Sequence, residues 1–123
     1  MRIERQQSRI FWGQNRLRPD LVISSSKGRW VLDTKWRVLK GKHASADELR
    51  QIYVYCDYFK ADSGVLIFPQ PERGLESQVQ NFAPLPEGED QHRTCHLYFA
   101  RVLHEDGSLN QELGKEIFDG LMV

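Results

Sequence analysis

The stretch Arg18-Pro19-Asp20-Leu21-Val22-Ile23-Ser24-Ser25-Ser26-Lys27-Gly28-Arg29-Trp30-Val31-Leu32-Asp33-Thr34-Lys35-Trp36 reads as two short apolar strands joined by a turn. Leu21 to Ile23 form the first run, Ser24 to Gly28 are turn residues, and Trp30 opens the second run. Such a hairpin can bring Asp20 and Asp33 side by side. Side chains alternate along a strand, so Asp33 and Lys35 are expected on one face and Leu32 and Thr34 on the other. Pro19 favours the first residue of a strand, which places Asp20 near a strand end where a carboxylate stays wet.

Two carboxylates and a lysine in one cleft suit a divalent metal site for phosphodiester hydrolysis. Hard oxygen ligands fit Mg²⁺, held by one or two carboxylates plus substrate phosphate oxygens, with Mn²⁺ as a substitute. A water acidified by the metal could attack phosphorus, and Lys35 could assist that water or stabilise charge developing in the transition state. The competing reading is an exposed hairpin whose Asp33 and Lys35 form a weak surface ion pair.

Behind the hairpin, Ala46 to Phe59 has helical spacing, with Leu49, Ile52, Tyr53, Cys56 and Phe59 on a face to bury and Ser45 or Asp47 to cap the start. Gln51, Tyr55 and Tyr58 form a second stripe whose polar ends could reach the carboxylates or a phosphate. An ordinary amphipathic helix with a polar flank would look the same.

Pro19-Asp20 followed by Asp33-Thr34-Lys35 resembles the PD-(D/E)xK nuclease superfamily. The longer string Leu17 to Ile23, then Val31 to Arg37, then a helix with Gln51-x-x-x-Tyr55, is similar to the nuclease domain of the McrC family, cleavage subunits of modification-dependent restriction systems. The resemblance covers about a third of the chain. It implies a Mg²⁺-dependent endodeoxyribonuclease with Asp20, Asp33 and Lys35 as catalytic centre, Asp20 and Asp33 as metal ligands, the backbone carbonyl of Thr34 completing the metal shell, and Gln51 and Tyr55 in support. Many members add an acidic ligand from a helix ahead of the first motif. Here only Glu4 is available, a residue equally readable as a solvated terminal charge.

Length and composition fit one domain over residues 1–123, with 40% hydrophobic and 28% charged residues. The chain is formally neutral, yet residues 1–42 carry eleven Lys or Arg against three acids, and residues 43–123 carry six against fourteen. Arg16, Arg18, Lys27, Arg29, Arg37, Lys40 and Lys42 are the candidate DNA-steering cations. The opposing possibility is that the two halves pair within one fold. Cys56 and Cys95 are expected reduced and packed, and His92, Cys95 and His96 lack the second ligand pair of a zinc site. No membrane span, no signal peptide and no GxxxxGK[ST] loop is present, so a cytoplasmic protein without its own nucleotide hydrolysis is expected.

Gly64 to Phe68 reads as a buried central strand and Cys95 to His104 as another. Ser8 to Gly13 is a strand opening a hairpin into Leu17 to Asp20. Four of five prolines fall in a mobile loop at about 69–91, with at most a short helix at Leu75 to Phe82. Leu109 to Met122 is an amphipathic closing helix. Trp12, Trp30 and Trp36 are expected to pack. The fold class is α/β, a mixed central sheet flanked by helices and restriction-endonuclease-like.

The expected function is a DNA endonuclease domain, a McrC-like restriction component acting as a homodimer on duplex DNA. By the same resemblance, an AAA+ GTPase motor is its partner, engaged in that family through an N-terminal region for which this chain leaves no room. The alternatives are a non-catalytic nucleic-acid-binding or assembly module on the same fold, and a stand-alone repair or toxin nuclease.

Overall fold

The computed structural model describes residues 1–35, 37, 44–69, 78–83, 93–101, 106–108 and 110–122. The chain runs through β1 (Arg2–Arg5), β2 (Arg9–Trp12), β3 (Asn15–Leu17), β4 (Leu21–Ser25), β5 (Gly28–Thr34), α1 (Ala46–Phe59), β6 (Ser63–Pro69), β7 (Gln78–Asn81), β8 (Thr94–Ala100) and α2 (Leu113–Met122). Six strands form one mixed sheet in the order β1-β4-β5-β6-β8-β7, while β2 and β3 form a separate two-stranded ribbon.

The expected hairpin is β4–β5, antiparallel and in register from Leu21 opposite Leu32 to Ser25 opposite Gly28. Gly28 closes the turn at φ 140°, and a Cβ there would also sit 2.9 Å from the Asp62 carboxylate, so only glycine fits. From β5 the chain crosses through α1 into β6, which pairs parallel with both β5 and β8.

Alternation along the strands divides the core between two faces. Val22, Val31, Leu66, Phe68, Leu97 and Phe99 meet Ile52, Cys56 and Phe59 of α1. Ile23, Leu32, Val65, Ile67 and Ala100 meet Leu113 and Ile117 of α2. The sheet is therefore flanked by helices on both sides, as the alternating element pattern predicts.

The start of α1 is fixed by a capping box: the Glu48 backbone N–H donates to Ser45 Oγ at 3.1 Å, and the Ser45 N–H donates to the Glu48 carboxylate at 2.9 Å. Its close seat on the sheet depends on Gly64, where a Cβ would come 2.4 Å from Ile52 Cγ1 and 3.2 Å from Cys56 Sγ. Both cysteines are buried free thiols, and burial pushes Cys56 up to about 12 and Cys95 up to about 11. They are packing residues, not reactive ones.

Several expectations change. Instead of a short helix at Leu75 to Phe82, residues Gln78–Asn81 form β7, an edge strand antiparallel to β8; the open edge of β8 supplies the hydrogen bonds that a polar segment takes up as ladder. The rest of the Pro-rich loop, 70–77 and 84–92, lies outside the described residues, as do Trp36, Lys40, Lys42 and His92. The closing helix begins at Leu113 rather than Leu109. Trp30 packs beside the α2-side core, but Trp12 does not pack: it is 75% exposed, because it lies at the ribbon tip beyond the sheet. Among the described residues, no helix is long and apolar enough to cross a membrane.

Candidate active site

Continuing the β4–β5 register by one step places Asp20 opposite Asp33, on the face that carries Val22 and Val31. Asp33 lies within β5 and is 7% exposed; Asp20 immediately precedes β4 and is half-buried. The two carboxyl groups are close enough that each shifts the titration of the other.

Thr34 clamps Asp20. Its backbone N–H and its hydroxyl both donate to Asp20 Oδ2, at 2.7 and 2.6 Å. Simple alternation sends Thr34 to the opposite face, but because Asp20 stands off the strand end its carboxylate takes the place of a backbone acceptor. Burial pushes Asp20 up, yet the Thr34 hydrogen bonds outweigh it and hold this carboxyl below its usual value. Asp33 goes the other way: burial raises it, the Asp20 charge adds to that, and Lys35 only partly offsets them.

Lys35 lies on the Asp33 side as alternation predicts, with Nζ 2.7 Å from Asp33 Oδ2. Nζ also donates to Gln51 Oε1 at 2.6 Å, and Gln51 Nε2 donates to the Tyr55 hydroxyl at 3.2 Å. The Gln51/Tyr55 pair is thus joined to the lysine through α1. Tyr55 is one of the buried residues of α1, with its hydroxyl turned to Gln51. Burial, with the Asp33 charge beside it, raises the Tyr55 phenol and keeps it protonated.

Glu4 lies in β1, not a helix, opposite Val22 and so on the same face as Asp20. Its carboxylate pairs with Arg2 at 3.0 Å. Among the described residues no three His, Cys, Asp or Glu side chains converge on a common point, so Glu4 does not complete a three-ligand set. Two adjacent carboxylates in a half-buried cleft still suit Mg²⁺, which takes one or two protein carboxylates and leaves its other positions to water and phosphate.

The basic residues separate by role. Arg16, on β3, and Arg18, between β3 and β4, are exposed, and they donate to Ser8 Oγ and Gln6 Oε1 respectively. Lys27 sits in the β4–β5 turn, at the other end of that hairpin. Arg29 is not a free steering charge: it donates to Phe59 O at 2.7 Å and Ser24 Oγ at 3.0 Å, tying β5 to the end of α1. Arg37 is ion-paired with Glu48. The Thr34 hydroxyl was missed from sequence; the only available signal was its place between Asp33 and Lys35.

Residues 2–69 match the model of a family described as McrBC 5-methylcytosine restriction system component. The chain belongs to this McrBC family. Asp20, Asp33, Thr34, Lys35, Gln51 and Tyr55 all fall within the matched stretch. No curated protein matches the chain. Among solved structures, the chain is similar to one in a refined half-complex from the tetradecameric assembly of Thermococcus gammatolerans McrB AAA+ hexamers with bound McrC, at a TM-score of 0.65 and 23% identity. That match covers 98% of this chain and 28% of the other, so the McrBC-family chain described here spans little more than a quarter of its structural relative.

Proposed function

We propose that this McrBC-family chain is a metal-dependent DNA endonuclease domain of restriction-endonuclease-like, PD-(D/E)xK architecture, the cleavage component of a modification-dependent restriction system. The observation that carries the reading is the pairing of Asp20 with Asp33 across two strands, with Lys35 ion-paired beside them.

In this reading Asp20 and Asp33 hold Mg²⁺ or Mn²⁺, with the Thr34 carbonyl as a further ligand. The bound ion would withdraw charge from the scissile phosphate and make a water more acidic. Thr34 keeps Asp20 ionised and fixes its orientation. Lys35, held between Asp33 and Gln51, presents an ammonium to the phosphate and offsets the negative charge that builds up during attack. Gln51 and Tyr55 restrict where that ammonium can go. Arg16 and Arg18 draw in the DNA backbone.

Cutting both strands of a duplex needs two such centres, so the active species is a dimer on DNA. The structural relative comes from an assembly described as McrB AAA+ hexamers with bound McrC, which supports an AAA+ GTPase partner for this chain. The test is cleavage of supercoiled plasmid with Mg²⁺ or Mn²⁺, alone and with an AAA+ partner. Cleavage abolished by Asp33→Asn and Lys35→Met supports the proposal, and cleavage indifferent to both contradicts it. Cleavage without any partner would move the chain toward a stand-alone nuclease.

A second reading is a non-catalytic module on the same fold. It is favoured by the convergence of only two acidic side chains among the described residues, one already neutralised by Lys35.

A further inference from the structure

The β2–β3 ribbon stands apart from the sheet, and its outer side has no partner among the described residues. Every residue of β2 is exposed, with Ile10 60% and Trp12 75% accessible. Ile10 lies opposite Arg16, and Trp12 opposite Asn15 at the tip, where a bulge and Gly13 at φ 60° turn the chain. Residues 5–18 carry four arginines, Arg5, Arg9, Arg16 and Arg18, and no acid.

The ribbon is nonetheless anchored. On its inner side Arg9 lies over the Phe59 ring at 5.1 Å and Phe11 meets Tyr58 edge-on at 5.5 Å. At its root the Gln6 N–H donates to the Asp20 carbonyl at 3.0 Å, and the Arg18 guanidinium donates to Gln6 Oε1. Both feet of the ribbon therefore rest at Asp20, the first carboxylate of the site.

An exposed indole at the tip of a ribbon that carries arginines and no acid matches nucleic acid chemically. In a duplex the bases are stacked on one another, so an indole in the major groove makes apolar contact with base edges such as the thymine methyl, and cations pair with phosphates. A two-stranded ribbon also fits the major groove of DNA, roughly 12 Å wide. The six residue steps from Gln6 to Trp12 span at most about 20 Å, so the tip reaches no further than roughly half a helical turn from Asp20.

We propose that the exposed tip and outer edge of the β2–β3 ribbon form a DNA-binding element, with Trp12 at the tip against base edges and Arg16, on the face it shares with Ile10, on the phosphate backbone. This rests on the nuclease reading, since the duplex gripped is the one brought to Asp20 and Asp33. It adds to that reading an element that sets where the cut falls relative to the gripped bases.

The test is fluorescence anisotropy of a labelled 30-base-pair duplex in EDTA at 50 to 200 mM salt. The wild type is compared with Trp12→Ala and Arg16→Gln, whose folding is checked by circular dichroism. The expected result is about tenfold weaker binding for Trp12→Ala and a salt slope smaller by about 0.9 for Arg16→Gln. Wild-type affinity and slope in both variants overturn the proposal. So does a wild type that binds no duplex, including the case in which Trp12→Ala converts a dimer to a monomer by light scattering, which would assign the face to a second copy. Divalent-ion calorimetry on the same proteins separates the two readings. Intact ion binding with Trp12-independent DNA affinity removes the ribbon alone, whereas absent ion binding with Trp12-dependent affinity removes the nuclease and keeps the ribbon.

Discussion

Thr34 holds Asp20 twice, through a backbone N–H at 2.7 Å and a hydroxyl at 2.6 Å, both on the same carboxylate oxygen. The strand that carries Asp33 and Lys35 thereby also orients the carboxylate of the neighbouring strand. Both acidic groups of the proposed centre are fixed by β5.

Removing the hydroxyl alone separates orientation from bulk. Thr34→Val should lose about 1.5–3 kcal/mol of stability, the usual range for a hydrogen bond to a charged group, and roughly tenfold in divalent-ion affinity. Thr34→Ser should recover most of both. Urea unfolding and calorimetry give the two readouts, and a valine variant with wild-type ion affinity would exclude the clamp from the site.

Lys35→Met should leave divalent-ion binding in place while reducing cleavage about 10²-fold or more, since the ammonium acts on charge that develops during attack. Gln51→Ala should cost less, because Lys35 keeps its Asp33 partner. Single-turnover cleavage of a plasmid measures both, and an equal loss in the two variants would place Gln51 at the reacting atoms instead of behind Lys35.

Gly64→Ala should destabilise the domain by about 1–3 kcal/mol through overpacking. The added methyl meets Ile52 and Cys56, both fully buried in the α1 interface, so the helix must lift from the sheet. The thermal midpoint reports this, and an unchanged midpoint would show that the interface relaxes freely.

Acid sensitivity should arise at Glu48. The Arg37 hydrogen bond and the Ser45 capping contacts, working against burial, lower this carboxyl from 4.5 to about 2. A depressed carboxylate contributes stability that is present above its unfolded value and lost as pH falls toward its folded one. Denaturant midpoints at pH 6, 4, 3 and 2 should show Glu48→Gln less stable than wild type at pH 6 and converging with it near pH 2. A constant gap across that range would mean the ion pair is not responsible.

Much of this architecture was legible because short-range rules governed it. Period-two alternation put Lys35 beside Asp33, the turn signal at Ser24 to Gly28 put Asp20 opposite Asp33 although the strands take up all but Ser26 and Lys27, and Ser45 with Glu48 marked the start of α1. What was not legible depended on partners distant in sequence. Gln78–Asn81 is a strand because β8 offers an edge, which the polar segment itself does not announce. Tyr55 is buried because it joins the core cluster that α1 makes with the sheet. Trp12 is exposed because its strand left the main sheet, and Arg29 is spent on the carbonyl of Phe59. The Thr34 hydroxyl escaped because alternation describes strand interiors, and Asp20 sits just outside one.

The most direct measurement is calorimetric titration of Mn²⁺ and Mg²⁺ into the wild type, Asp20→Asn and Asp33→Asn, because it needs neither partner nor substrate. Saturable binding in the wild type, lost in both variants with the fold intact, is the expected result. A folded wild type that binds neither ion, or variants that bind as well as it does, would contradict a metal centre at Asp20 and Asp33.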